Sequence, residues 1–225
     1  MKNVSVTATA TFVGLAVAWG GTALLLTPAT RLLGAPESLA TMVLEQLVLW
    51  ALAGAIVAII VVWEKRPLAS IGLRSLGWQS AGWGLLLAAA LFCVVMPLLR
   101  LGLRVTGIPV FEAGLSKILI LPVWFRIFAV VTAGIVEDTI FLGFPVTRLT
   151  QLTGSPWMAG AVSVPVFALF HLPNWGAGPV LIYLVTGGIT TAFFIWRQDL
   201  SANMMAHVTV DALALVIVPA LSRAA

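Results

Sequence analysis

The sequence predicts an all-α fold, a polytopic bundle of about seven or eight transmembrane helices around a central polar cavity. Apolar residues make up 61% of the 225 positions and charged residues only 9%, more apolar surface than a soluble domain of this size could bury. The apolar residues fall in runs of about 20, the length of helix that crosses a bilayer. Both histidines and three of the eight acidic residues lie inside these runs, which predicts the cavity.

Seven runs have the composition of spans, near residues 6–27, 42–63, 80–99, 122–146, 157–172, 179–196 and 202–220. The first run is longer than the core of a signal peptide, about 7–15 residues, and therefore predicts a first transmembrane helix. The stretch 105–121 is a loop, an interfacial helix or a short eighth span. Tryptophans cluster at the proposed ends, as in an aromatic belt: Trp63, Trp78, Trp124, Trp157, Trp175 and Trp196.

Composition leaves room for one membrane domain, residues 1–225, and no separate soluble domain. The net charge of +4 is explained by juxtamembrane Lys and Arg, so no nucleic-acid partner is expected. The single cysteine, Cys93, excludes an internal disulfide and a thiolate metal cluster. Basic residues divide almost evenly between the two faces. Their slight excess predicts that the N-terminus and the Arg148 loop are cytoplasmic, in a multi-pass protein of the plasma or inner membrane.

Five ionisable residues interrupt the apolar runs: Glu137, Asp138, His171, His207 and Asp211. One ionised carboxylate at a helix centre costs about 2.5–3.5 kcal/mol on translocon scales, so three would cost roughly 8–10 kcal/mol. Such a cost is tolerable only if these groups share a polar cavity. At a rise of about 1.5 Å per residue, four of the five fall near the middle of the bilayer on three different helices. A catalytic or ion-handling site inside the membrane is therefore predicted.

The last run carries three polar residues on one helix face, since Asn203, His207 and Asp211 are spaced four apart. They form either one wall of a hydrated site or a hydrogen-bonded contact between helices. Glu137 and Asp138 are adjacent, so one can enter the cavity while the other braces it or contacts a neighbouring helix.

These residue types suit hydrolysis. Glu137 and His171 could hold one water, remove its proton and direct it at a carbonyl carbon. His207 could then donate a hydrogen bond to the developing oxyanion. His171 could instead be a core histidine with its hydrogen bonds satisfied. Pro165, Gly143 and Pro145 predict helix distortions beside these groups.

Three short motifs occur in order along the second half of the chain: Glu137-Asp138-Thr139-Ile140-Phe141-Leu142-Gly143, Phe167-Ala168-Leu169-Phe170-His171 and His207-Val208-Thr209-Val210-Asp211. The pattern resembles the CAAX-protease and bacteriocin-processing family of intramembrane glutamic proteases, also called the Abi family. Its motifs are Glu-Glu-x-x-x-Arg, Phe-x-x-x-His and His-x-x-x-Asn/Asp. Two positions differ, because Asp138 replaces the second Glu and Leu142 replaces the Arg. The resemblance covers about residues 120–220, which would form the catalytic core.

By this resemblance, Glu137 and His171 would activate the hydrolytic water, and His207 and Asp211 would stabilise the tetrahedral intermediate. The resemblance implies a peptidase that needs neither metal nor other cofactor, with about eight spans and a water-filled cavity open to one membrane face. Its substrate would be a membrane-associated protein or peptide. Supporting roles are predicted for four neighbours: Asp138, Asn203, Phe141 and Phe167.

Two other classes of function stay open at this point. A non-enzymatic immunity or scaffold protein of the same fold is favoured by the departures at Asp138 and Leu142. A proton- or metal-coupled carrier could use the same carboxylates and imidazoles, although the chain has no His-Glu-x-x-His motif and no obvious repeat. The leading prediction is an endopeptidase that cleaves a peptide bond near the membrane surface.

Overall fold

The computed structural model describes residues 8–24, 38–108 and 112–224, and these residues are almost entirely helical, with no strand among them. The predicted all-α class is confirmed. The helices, numbered in chain order, are α1 Ala8–Leu24, α2 Leu39–Trp63, α3 Trp78–Val105, α4 Glu112–Leu119, α5 Val123–Thr153, α6 Pro156–Phe170, α7 Leu172–Trp175, α8 Ala177–Arg197 and α9 Leu200–Ser222.

Five of these helices are long and apolar enough to cross a membrane, namely α2, α3, α5, α8 and α9. Two runs that were predicted as spans, 6–27 and 157–172, form the shorter apolar helices α1 and α6 in the described part of the chain. Within the stretch 105–121, α4 has eight residues. A helix of that length measures about 12 Å, too short to cross the hydrocarbon core, so α4 is not an eighth span.

The outer surface of the bundle is apolar. Large side chains such as Val62, Leu86 and Leu98 are exposed along the candidate spans. Exposed tryptophans lie at the helix ends, among them Trp78 at the start of α3 and Trp196 near the end of α8. A water-soluble protein would not expose so much contiguous apolar surface, whereas a bilayer would cover it. The protein is therefore a membrane protein.

The prediction that Arg148 lies in a loop is wrong. Helix α5 does not end near residue 146 but continues to Thr153, and the left-handed Gly154 terminates it. Arg148 lies in this last part of α5, where its side chain is 0% exposed. Its Nε donates to both carboxylate oxygens of Glu64 at 3.0 Å, and its Nη2 donates to Oε2 at 2.5 Å. Arg148 is thus a buried structural cation, and it carries no information about membrane orientation.

The start of α9 is anchored to the loop between α2 and α3. Leu200 N donates to Gly72 O at 2.8 Å, and Ser201 Oγ donates to Arg74 O at 2.6 Å. Asp199 caps α9 by accepting from Ala202 N at 3.1 Å, and it also accepts from Ser80 Oγ of α3 at 2.6 Å. These bonds fix α9 against α3 and α5, with which it packs along its length. This anchoring sets the position of the His207–Asp211 motif along α9 relative to α3 and α5.

Candidate active site

The first motif lies on a widened section of α5. Residues Ala133–Gly143 form a π-helix, in which each N–H bonds to the carbonyl five residues earlier. Such segments are usually single turns and occur often at functional sites, but here the segment runs for 11 residues. Ser163 of α6 donates its Oγ–H to the carbonyl of Phe141, which joins this segment to α6.

Glu137 on this segment faces His171, which lies at the end of α6. The distance from Glu137 Oε2 to His171 Nε2 is 3.8 Å. His171 Nδ1 lies 2.8 Å from Phe167 O, and a carbonyl can only accept, so Nδ1 carries a proton. In the neutral ring, Nε2 therefore presents a lone pair towards Glu137. A separation of 3.8 Å is too long for a direct hydrogen bond but allows one water to contact both groups.

His207 on α9 lies between two carboxylates. Its Nδ1 is 2.9 Å from Asp138 Oδ1, and its Nε2 is 3.7 Å from Asp211 Oδ2, one turn further along α9. Asp138 therefore has a partner even though Leu142 occupies the position of the motif arginine. The adjacent carboxylates of α5 divide as the sequence allowed, because Glu137 faces α6 while Asp138 contacts α9.

Aromatic rings fix the position of the His171 imidazole. The ring of Phe167 meets it edge to face with centroids 4.6 Å apart, and Tyr183 of α8 stacks on it at 3.7 Å with planes 31° apart. Phe141 packs against Phe167 at 5.6 Å. The sequence prediction included Phe141 and Phe167 but missed Tyr183. The available signal was that Tyr183 is the single tyrosine of the chain and falls within an apolar run.

A cavity of about 180 Å³ lies beside these groups. Four of the five predicted ionisable residues line it: Glu137, Asp138, His207 and Asp211. His171 does not line the cavity itself but contacts Tyr183 and approaches Glu137, both of which do. Most of the remaining wall is apolar and includes Phe141, Leu142 and Phe167. A substrate bound there would be surrounded by low-dielectric walls, with carboxylates and an imidazole on one side.

Comparison with known families adds an independent finding. A family model described as Rce1-like, type II CAAX prenyl endopeptidase Rce1-like, matches residues 119–213. Over this stretch, the chain is similar to that family. The match contains all three motifs in order, so the resemblance predicted from them is confirmed. No curated protein and no solved structure matches the chain.

Within the matched region, Asn203 lies apart from the other polar groups. It is buried, and its Nδ2 donates to Thr190 O of α8 at 2.9 Å. Asn203 does not line the cavity, although Thr190 does. At this position, one turn before His207, α9 is covered by neighbouring helices. Asn203 therefore joins α9 to α8 and does not form part of the wall of the site, as the sequence had suggested. Among the described residues, no group of three or more His, Cys, Asp or Glu side chains is arranged to hold a metal ion.

Proposed function

We propose that the protein is an intramembrane endopeptidase of the CAAX type, in which Glu137 is the general base. It would hydrolyse a peptide bond of a membrane-associated protein or peptide. The observation that carries this proposal is the pairing of Glu137 with the lone pair of His171 Nε2 at 3.8 Å, with the imidazole held by Phe167 O. The match of residues 119–213 to a CAAX endopeptidase family supports the same reaction class.

The Glu137–His171 pair is suited to orienting a water. Both groups accept hydrogen bonds, so a water between them would donate one hydrogen bond to each. Its lone pairs would then point away from both acceptors, towards a carbonyl carbon in the cavity. The Phe167 carbonyl and the stacked Tyr183 ring prevent His171 from rotating, which keeps this geometry in place before the substrate arrives.

In the proposed reaction, the water oxygen bonds to the scissile carbonyl carbon while its proton passes to Glu137. The carbonyl oxygen becomes an oxyanion. Glu137 then returns the proton to the amide nitrogen, the carbon–nitrogen bond breaks, and the products are a carboxylic acid and an amine. One carboxyl group thus acts first as base and then as acid, and it is regenerated at the end of the cycle.

His207 is the proposed stabiliser of the oxyanion. A carboxylate faces each ring nitrogen, and carboxylates only accept hydrogen bonds, so this environment favours the doubly protonated imidazolium. Asp138 accepts from Nδ1 at 2.9 Å and thereby fixes the ring. Asp211, 3.7 Å from Nε2, is beyond direct hydrogen-bond distance. The Nε2–H is therefore available to an oxyanion, which it would stabilise by charge as well as by hydrogen bonding. Asp211 would stabilise the positive charge of the imidazolium and would not contact the substrate.

The remaining features of this proposal concern the architecture. Helices α1 and α6 would complete a seven-span bundle, in which residues 1–225 form one domain, residues 120–220 form its catalytic core, and the cavity is central and filled with water. The apolar composition of α1 and α6 and their packing against α5 support this arrangement. The location would be the plasma or inner membrane.

Cleavage of a quenched fluorescent CAAX peptide by purified protein in liposomes tests the proposal. We expect Glu137→Gln and His171→Ala each to lower the rate by about 10²–10⁴-fold, the usual contribution of general acid–base catalysis. Glu45→Gln is the matched control, because Glu45 also lies in a candidate span, on α2, but does not line the cavity. Glu45→Gln should cleave at the wild-type rate. Undiminished proteolysis by folded Glu137→Gln would eliminate Glu137 as the base.

A further inference from the structure

The cavity wall carries a cation that the proposed mechanism does not use. Arg100 of α3 lines the same cavity as Glu137 and Asp211, and it is the single lysine or arginine among the described residues that do so. Its side chain is exposed, and no residue in the described part of the chain forms a hydrogen bond or ion pair with it. A guanidinium presents five N–H donors in a planar fork that matches a carboxylate. Arg100 is therefore free to bind an anionic group that enters the cavity.

The distance between Arg100 and the reacting groups is estimated along α3. Leu91 also lines the cavity and packs in one buried cluster with Ala206, the residue before His207. Leu91 thus marks the level of the proposed oxyanion site. Arg100 lies nine residues further along the helix, which is about 13 Å at 1.5 Å per residue. An extended peptide covers the same distance with about four residues, at 3.3 Å each.

The neighbouring arginine provides an internal comparison. Arg104 lies one turn beyond Arg100 on the same helix and is also exposed, but it does not line the cavity. Both residues could serve as interfacial charges, so that role does not distinguish them. Only Arg100 shares the cavity with the carboxylates of the proposed active site. The cavity wall also includes the apolar side chains of Met96, Leu115 and Trp175.

We infer that Arg100 binds a carboxylate of the substrate peptide about four residues beyond the level of the reacting groups, and so sets which bond is cleaved. This inference rests on the proposed function. Two sources of the carboxylate fit the geometry: the C-terminus of the peptide, or an acidic side chain at that distance. If the carboxylate is the C-terminus of the substrate, its binding to Arg100 fixes how many residues separate that C-terminus from the cleaved bond.

Three peptides separate these sources. The first is a farnesylated CAAX peptide with a free C-terminal carboxylate, and the second is the same peptide with a C-terminal amide. The third also has a C-terminal amide but carries Asp as the last residue. Wild-type protein should cleave the first with a kcat/KM about fivefold or more above that of the second, mostly through KM, as expected for one partly exposed charge pair. Cleavage of the third at the rate of the first would identify any nearby carboxylate as sufficient.

Arg100→Gln should cleave the free-carboxylate and amide peptides equally, at the wild-type rate for the amide, whereas Arg104→Gln should keep the wild-type preference. Retained preference in Arg100→Gln, or equal loss in Arg104→Gln, would overturn the inference. A binding measurement tests the Arg100 site separately from the proposed peptidase function. It compares the affinity of the labelled peptides for the Glu137→Gln variant and for the double variant Glu137→Gln with Arg100→Gln. If wild-type protein cleaves nothing but Arg100 still determines the preference for the free carboxylate in binding, the peptidase proposal fails and the Arg100 site stands. If Arg100→Gln leaves that binding unchanged, the Arg100 site is refuted.

Discussion

Replacing Arg148 with methionine should destabilise the protein strongly, although Arg148 lies outside the cavity. Its guanidinium forms three hydrogen bonds with the Glu64 carboxylate and a further one, from Nη2, with Ser70 Oγ at 3.0 Å. The side chains of Arg148 and Glu64 are 0% and 1% exposed. Without Arg148, the carboxylate of Glu64 stays buried and loses the cation that is hydrogen-bonded to it. Breaking such a pair costs about 3–5 kcal/mol, which lowers the folding equilibrium constant by roughly 10²–10⁴-fold.

The assay is reversible unfolding of purified protein in mixed micelles with increasing SDS, followed by tryptophan fluorescence. Arg104→Met is the matched control, because Arg104 is exposed, and it should change the free energy of unfolding by less than about 0.5 kcal/mol. The double variant Arg148→Met with Glu64→Leu removes both charges together. It should recover most of the loss, because no unpaired charge remains in the interior.

Two results would refute this reasoning. If Arg148→Met alone lowers the free energy of unfolding by less than about 1 kcal/mol, the pair does not carry the burial cost assigned to it. If the double variant is as unstable as the sum of its two single variants, the charges do not interact in the way that their contacts indicate.

Two further predictions concern helix packing and the imidazole. A Cβ at Gly84 would lie 2.6 Å from the backbone oxygen of Ala202, so Gly84→Ala should lower the free energy of unfolding by about 1–3 kcal/mol in the same assay. A Cβ at Gly82 would have no atom within 4 Å, so the control Gly82→Ala should be neutral or slightly stabilising. Equal effects of the two substitutions would contradict the close approach of α3 and α9. Tyr183→Leu removes the ring stacked on His171 and should reduce kcat about tenfold or more with little change in KM. Tyr183→Phe keeps the stack and should retain most of the activity, and a Leu variant as active as wild type would mean that the stack does not position the imidazole.

Several features of the protein were predictable from the sequence. Length and hydropathy predicted the helical membrane class, and the candidate spans α2, α3, α5, α8 and α9 lie close to five of the predicted runs. The motif spacing predicted the resemblance to a CAAX endopeptidase family. The high cost of charge in lipid singled out the five ionisable residues that meet in the structure. These inferences succeed because each depends on composition or periodicity along a single helix.

The partners of those residues depended on the tertiary structure. A helical pattern tells which side chains share a face, but it does not tell which helix that face meets or how far along. The sequence therefore placed Arg148 in a loop, although it pairs with Glu64, 84 positions away. It also showed Leu142 in place of the motif arginine, but not that the anchored start of α9 brings His207 to Asp138.

Tyr183 and Arg100 are the clearest cases. A lone tyrosine and an arginine near the end of an apolar run look ordinary in the sequence, and only the packing of α8 and α3 around the α5 carboxylates brings both into the cavity wall. The chain by itself determined that charges had to be enclosed within the membrane. The packing of its helices decided which groups enclose them, because contacts between distant segments depend on helix register, which local sequence does not encode.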